Sequence, residues 1–242
     1  MTEYYIGTSG WYYEHWRGLF YPEELPKVEW LEFYSRHFNT VEINNSFYHL
    51  PSEKAFNQWK NLVQARFVYA VKVNRSITHF KKLRNTETDL ENFFSKAQML
   101  GNKLGVLLYQ LPPQMERNDE TLEYFLSLLP RGFRHTFEFR HKSWINDSTF
   151  TILKRYGTGF CILDMPRLTC PLVATSDFAY IRFHGSKELY SSCYTEEELR
   201  HWAKGITELD KTLKAVYIYF NNDAEAYAIT NAQELRKMII GE

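Results

Sequence analysis

The stretch Phe67-Val-Tyr-Ala-Val-Lys-Val73 is almost continuously apolar, as a parallel strand covered on both faces should be, and Lys72 near its end is the one charge. Seven further short apolar runs stop in the same way, at polar or charged residues: 4–7, 40–44, 105–110, 136–140, 159–164, 179–184 and 216–221. Eight such runs separated by helix-length intervals predict an α/β fold, a single (β/α)8 TIM barrel occupying residues 1–242 as one domain. The barrel brings their polar ends, Glu42, Lys72, Glu138, Arg140, Asp164, Arg182, His184 and Asn221, to one rim.

The intervals read as outer helices. An apolar stripe of Trp30, Phe33 and Tyr34 marks a helix over about 26–36, and Ser52 is placed to cap a second that carries Phe56, Trp59 and Leu62. Helices follow from about Thr86 or Asp89 to Leu100, from Asn118 or Asp119, over 147–156, over 195–209 and over about 223–238. Thr195-Glu-Glu-Glu198 is a capping box. One interval is short: residues 165–178 contain Pro166 and Pro171, so the sixth crossover helix is abbreviated to a turn or two. Gly7-Thr-Ser-Gly10 has neither the lysine nor the third glycine of a nucleotide loop and reads as a tight turn.

Composition narrows the functional classes. Lys plus Arg equals Asp plus Glu at 29 each, so net charge does not favour duplex nucleic acid as a partner, although a local basic patch remains open. The three cysteines have no ligand spacing and no even pairing, and nothing near Met1 resembles a secretion signal. No run nears the roughly 20 apolar residues that span a bilayer, so the expected setting is the cytoplasm, without membrane attachment.

Strand residues two apart share a face, so Glu42 goes with Asn44, Lys72 with Asn74, Glu138 with Arg140 and Arg182 with His184. Charges on nearly apolar strands are costly in the layer between sheet and helices and easier to place inside the barrel mouth. Glu42, Glu138, Asp164 and His184 are therefore the catalytic candidates, with Asp164 and His184 able to form an acid-supported base. Those four donors also suit a divalent cation by type, but Lys72, Arg140 and Arg182 bring three positive charges to the same rim, so a divalent metal is left open with no ligand assigned and no other cofactor is expected. Arg140 and Arg182 suit phosphate or carboxylate, and Lys72 serves as a charge contact or, if desolvated, as a nucleophile. Trp11, Tyr48, Trp144 and Tyr190 offer flat surfaces, and Asn44, Asn74, Gln110, Asn221 and Asn222 offer amides, for a small polar or anionic ligand. His79 and His141 follow their strands closely and are placed to cap the cavity; His15 and His49 also lie in loops. The alternative is structural: a buried salt-bridge network that joins strands and fixes their register.

Several strings together resemble the DUF72 family, also called YecE-like proteins: Ile6-Gly-Thr-Ser-Gly-Trp11, Val41-Glu-Ile-Asn-Asn-Ser-Phe-Tyr48, Lys72-Val-Asn-Arg-Ser-Ile-Thr-His79, Phe137-Glu-Phe-Arg-His-Lys-Ser-Trp144, Tyr180-Ile-Arg-Phe-His-Gly185 and Tyr219-Phe-Asn-Asn-Asp223. Phe20-Tyr-Pro22 and Leu104-Gly-Val-Leu-Leu-Tyr-Gln-Leu-Pro-Pro113 extend the resemblance over nearly the whole chain. It implies a TIM barrel and names no substrate. Likeness of barrel form to metal-dependent endonucleases and sugar isomerases makes phosphate-ester or sugar chemistry worth testing, as fold analogy.

Three functions follow as expectations. The first is a hydrolase of a small phosphorylated or sugar-containing compound, with Lys72, Arg140 and Arg182 holding the anion, Glu42 or Glu138 activating water and His184 moving a proton. The second is a nucleic-acid or nucleotide-binding module, which requires a basic groove leaving the mouth. The third is a non-enzymatic small-molecule sensor using the same pocket. All require the charged side chains to converge in a solvent-reachable bowl.

Overall fold

In the computed structural model, which describes residues 2–241, nine strands form in chain order: β1 (Glu3–Thr8), β2 (Thr40–Ile43), β3 (Val68–Lys72), β4 (Leu104–Gln110), β5 (Arg134–Glu138), β6 (Gly159–Met165), β7 (Leu168–Thr169), β8 (Phe178–Phe183) and β9 (Ala215–Phe220). Eight of them run parallel in the order β2-β3-β4-β5-β6-β8-β9-β1 and make a nearly closed barrel. Around it lie α1 (Trp30–His37), α2 (Asn45–Tyr48), α3 (Glu53–Leu62), α4 (Glu87–Ala97), α5 (Asp119–Leu128), α6 (Asp147–Arg155), α7 (Glu196–Leu209) and α8 (Tyr227–Ile240). The TIM-barrel expectation holds, and the sixth crossover departs from it in detail. Instead of a short helix, β7 doubles back antiparallel on β6, pairing Asp164 with Thr169, because the prolines on either side deny that segment a helical turn.

Local chemistry sets the helix starts where the sequence places them. The Ser52 hydroxyl accepts from the Ala55 amide at 3.3 Å and the Asn118 side chain accepts from that of Thr121 at 2.8 Å. Thr195 and Glu198 cap reciprocally, at 2.7 and 3.3 Å.

The seam between β1 and β2 is where the barrel closes. It carries one parallel bridge, Ser9 to Glu42, and a side chain stands in for ladder bonds. The Tyr34 hydroxyl, on α1, accepts from the Thr8 amide at 2.9 Å and donates to the Thr40 carbonyl at 3.1 Å. Gly7 permits that approach: a methyl group there would overlap the Thr40 carbonyl oxygen and stand 2.9 Å from the Tyr34 hydroxyl.

Alternation then sorts the barrel interior into tiers. At the bottom, Tyr5 stacks on Tyr217 at 4.8 Å, and Arg134 donates to the Tyr217 hydroxyl at 2.6 Å. Above them Thr40 and Tyr219 share a hydrogen bond of 2.7 Å, and Tyr180 packs on Tyr219. The interior below the rim is thus filled with side chains, as in other closed eight-stranded barrels. Arg134 closes the bottom, and the charged cluster of Glu42, Glu138 and Arg182 occupies the top.

Candidate functional site

Glu42 on β2, Glu138 on β5 and Arg182 on β8 meet at the top of the filled interior with relative exposures of 0, 0 and 1%. Arg182 bridges the two carboxylates. One terminal nitrogen reaches Glu42 Oε1 at 2.7 Å, and the other pairs with Glu138 Oε2. Glu42 also accepts from the Ser9 hydroxyl at 2.8 Å and from the Tyr180 hydroxyl at 2.5 Å. Glu138 accepts from Gln110 at 2.8 Å and pairs with Arg140. Every carboxylate oxygen is therefore occupied. Burial alone would push the Glu138 carboxyl up, but Arg140 and Arg182 hold it well below the usual carboxylate range. Burial weakens the Arg182 cation less than Glu138 and Glu42 reinforce it, so it stays protonated.

His184 stands one step above Arg182 on the same face. Its Nε2 receives Arg140 at 3.0 Å and Arg182 at 3.4 Å, both of which can only donate. Nε2 must carry the lone pair. Burial, then Arg182, draws this imidazole down to about 3, so the ring is neutral with its proton on Nδ1. Asn221 lies 3.1 Å from Nδ1, and its amide satisfies that proton when its oxygen faces the ring.

Above this lattice the rim is cationic. The Lys72 amine lies 4.3 Å from the Phe47 ring centroid and, among the described residues, makes no hydrogen bond or ion pair. Burial, then Arg182, draws it down to about 8. Also against Phe47, 4.9 Å between ring centroids, is His79, delivered by a π-helical turn over Ser76–Phe80 where the sequence predicts a loop. Burial, then Lys72, draws His79 down to about 4. Arg140 opens onto a recess of about 700 Å³ whose wall also carries His141, Lys142, Arg167 and Lys187 against a single acid, Glu188. Three cations face two carboxylates at the floor, and the wall adds more positive charge.

The sequence-predicted residues separate into two groups. Glu42, Lys72, Gln110, Glu138, Arg140, Arg182, His184 and Asn221 come together as expected. Asp164 does not, and its pairing with His184 is corrected. Cys161 lies 4.0 Å from Glu138 on the interior face of β6, so Asp164, three residues on, turns outward, where burial raises its carboxyl and Tyr194 and Trp202 hydrogen-bond it. Trp144 is no ligand platform, because it is buried on Phe139 and donates to the Met115 carbonyl at 2.7 Å. Asn222 is likewise buried and ties Ser192 to Asn231. Asn74 forms a turn with Ser76 and holds the Ser46 carbonyl. Trp11 and Asn44 line a separate recess of about 510 Å³ with Trp59, and Tyr48 lies exposed beside Arg75. Tyr190 packs edge-on at 5.5 Å from His184.

Among the described residues no three His, Cys, Asp or Glu side chains gather in a metal-binding arrangement, since arginines occupy the glutamates and Asp164 faces away. Sequence reasoning missed Ser9 and Tyr180, which share the interior face two residues from Gly7 and Arg182 and were findable by the same alternation. It also missed Arg167 and Lys187, which lie in loops where no period applies.

The family model "Protein of unknown function DUF72" matches residues 5–241. The UPF0759 protein YecE of Escherichia coli (strain K12) is 30% identical over 97% of this chain and 93% of its own length. The UPF0759 protein YunF of Bacillus subtilis (strain 168) is 25% identical, over 97% and 94%. Among solved structures, a DUF72 family protein from Thermotoga maritima MSB8 superimposes with a TM-score of 0.90 at 32% identity, over 98% of this chain and 99% of that one. A DUF72 family protein from Enterococcus faecalis V583, at 19% identity and a TM-score of 0.84 over 98% and 95%, shares the fold.

Proposed function

This chain belongs to the DUF72 family, whose description assigns no activity, and we propose that it is an enzyme acting on a small phosphorylated substrate held in the cationic recess at the barrel mouth. The observation that carries the reading is the charge arrangement: the carboxylates are consumed by arginine below the rim, while Lys142, Arg167 and Lys187 stand with Arg140 on the wall of a cavity that holds a single acid, Glu188, and Lys72 beside that lattice has no ion-pair partner among the described residues. A phosphate monoester fits such a wall, since each oxygen accepts charge-assisted bonds from Arg and Lys. One nitrogen of Arg140 meets only the Met165 thioether, at 3.3 Å, a weak acceptor that phosphate oxygen would replace.

The roles differ from the sequence-based expectation. Glu42 and Glu138, without exposure and with every oxygen paired, are poorly placed to activate water; their support is for holding Arg182 and Arg140 rigid. His184 is fixed as an acceptor between two guanidinium groups, which favours orienting Arg140 over carrying a proton. If the reaction is hydrolysis of the ester, the candidate base is Lys72 in its neutral form, since burial, then Arg182, draws it down to about 8. The nucleic-acid reading draws on the same basic wall and on exposed Tyr190, and it predicts binding that falls steeply with salt. The sensor reading predicts binding without turnover.

The test is inorganic phosphate titrated into the purified protein, followed by a panel of phosphate monoesters assayed for turnover. Saturable thermal stabilisation by phosphate is expected, weakened about tenfold or more in the Arg167→Glu, Lys187→Glu double variant. No stabilisation by phosphate, or equal stabilisation in that variant, would overturn the reading.

A further inference from the structure

We propose that the Lys72 amine is a nucleophile that captures a substrate carbonyl as an imine, which makes the phosphorylated substrate an aldehyde or ketone. This rests on the phosphate reading for the substrate's other end and adds a reactive group to it. Lys72 projects inward from the C-terminal end of β3, on the face that carries Glu42 and Gln110 on the flanking strands. Both nearby carboxylates are already bonded to arginine, so the amine has no anion to pair with, and the Phe47 ring shields one side from water.

Lys103 shows what a structural lysine looks like in this chain. It is buried, and its amine donates to the carbonyls of Lys60 and Val63, both at 2.6 Å. Lys72 has no such bonds among the described residues, and the residue keeps partial exposure, so its nitrogen is uncommitted. A cation beside a desolvated lysine is the arrangement that makes an amine reactive near neutrality, and Arg182 and Arg140 supply it here, with Glu138 and Glu42 opposing them. His79, packed on the same Phe47 ring, is neutral and leaves Lys72 as the one group of the pair that can change charge near pH 8.

The step is balanced without a co-reactant. The Nζ lone pair adds to the carbonyl carbon, an amine proton passes to the oxygen to give a carbinolamine, and water leaves as the C=N bond forms. Hydrolysis returns both partners. The phosphate on the recess wall would hold the carbonyl end toward β3.

The experiment uses glycolaldehyde phosphate and glycolaldehyde as probes, with sodium cyanoborohydride to trap any imine and peptide mass mapping to locate it. Lys72 should be alkylated about tenfold or more faster than the exposed Lys54, at lower concentrations of the phosphorylated probe, and inorganic phosphate should suppress that preference. Preferential trapping at Lys72 that is equal for the two probes would uphold the imine and sink the phosphate reading. Trapping at Lys72 no faster than at Lys54 would overturn the imine, whatever phosphate does to thermal stability. Lys72→Arg, which keeps the charge, should lose the label and retain stabilisation by phosphate; a variant that kept the fast label elsewhere in the mouth would also overturn the proposal.

Discussion

Replacing Arg182 by methionine removes the one cation that joins Glu42 to Glu138 and leaves both carboxylates without solvent. At an effective dielectric near 20, unit charges about 4 Å apart attract by about 4 kcal/mol, so the bridge holds two interactions of that order against the cost of burying the ions. Breaking a buried pair by deleting one partner costs about 3–5 kcal/mol, because the survivor stays buried and uncompensated. Glu138 keeps Arg140 and Gln110, whereas Glu42 keeps only the hydroxyls of Ser9 and Tyr180, so the damage centres on Glu42. We expect Arg182→Met to lose about 3–4 kcal/mol in urea unfolding at pH 7, and about 6–16 °C in Tm at a chain length near 240.

The same geometry fixes the response to pH and to a second substitution. An unpaired buried Glu42 has its folded pKa raised above the unfolded value, so protonation favours the folded variant and the deficit should narrow from pH 7 to pH 5. In the native chain the Glu138 carboxyl is depressed, so its contribution is present throughout that range and fades only below about pH 4.3, the unfolded value. Adding Glu42→Gln to Arg182→Met should recover about half the loss. A deficit below about 1 kcal/mol, or one that stays constant with pH, would refute the claim that Arg182 neutralises a buried pair of carboxylates.

Lys72→Met should stabilise the protein at pH 7 by up to about 3 kcal/mol, since burial lowers the lysine from 10.5 to about 8. The unfolded chain binds more protons between those values, so native stability rises with pH there and the advantage of the variant should shrink by pH 10; urea unfolding at pH 7, 8.5 and 10 measures it. Tyr34→Phe deletes the hydroxyl shared by Thr8 and Thr40 and should cost about 1–3 kcal/mol, with faster hydrogen exchange at the Thr8 amide as its signature. Gly7→Ala should cost at least as much through overlap at the same seam, and a variant as stable as the native chain would mean β1 and β2 do not meet there. Nitrogen-resolved NMR should find His184 neutral with its proton on Nδ1 from pH 8 to pH 5; a midpoint between 6 and 7 would contradict its place between Arg140 and Arg182.

The sequence made the barrel legible because covered parallel strands leave little choice of residue: Val71 and Val73 pack outward into a continuous core while Lys72 turns inward. Alternation within single strands also identified Glu42, Glu138, Arg182 and His184 as neighbours across the interior. It failed at Asp164 because that residue was placed by its position at a strand end, while the inward set of β6 starts from Cys161 and includes Met165. What no period could show is depth. Whether a carboxylate lies at an open mouth or one tier below it depends on how high Tyr180 and Tyr219 fill the barrel, and that level places Glu42 out of solvent. The wall residues Arg167 and Lys187 were hidden for a different reason, since the first lies next to a hairpin strand where a helix was expected and the second in the loop after β8.

The surplus of positive charge above a neutralised lattice is the claim on which the functional account rests, and an electron-dense anion locates it directly. Crystals soaked in sodium tungstate should show an anomalous peak in the recess bordered by Arg140, Arg167 and Lys187. Tungstate bound only elsewhere, or an empty mouth at concentrations that saturate other surface sites, would contradict it.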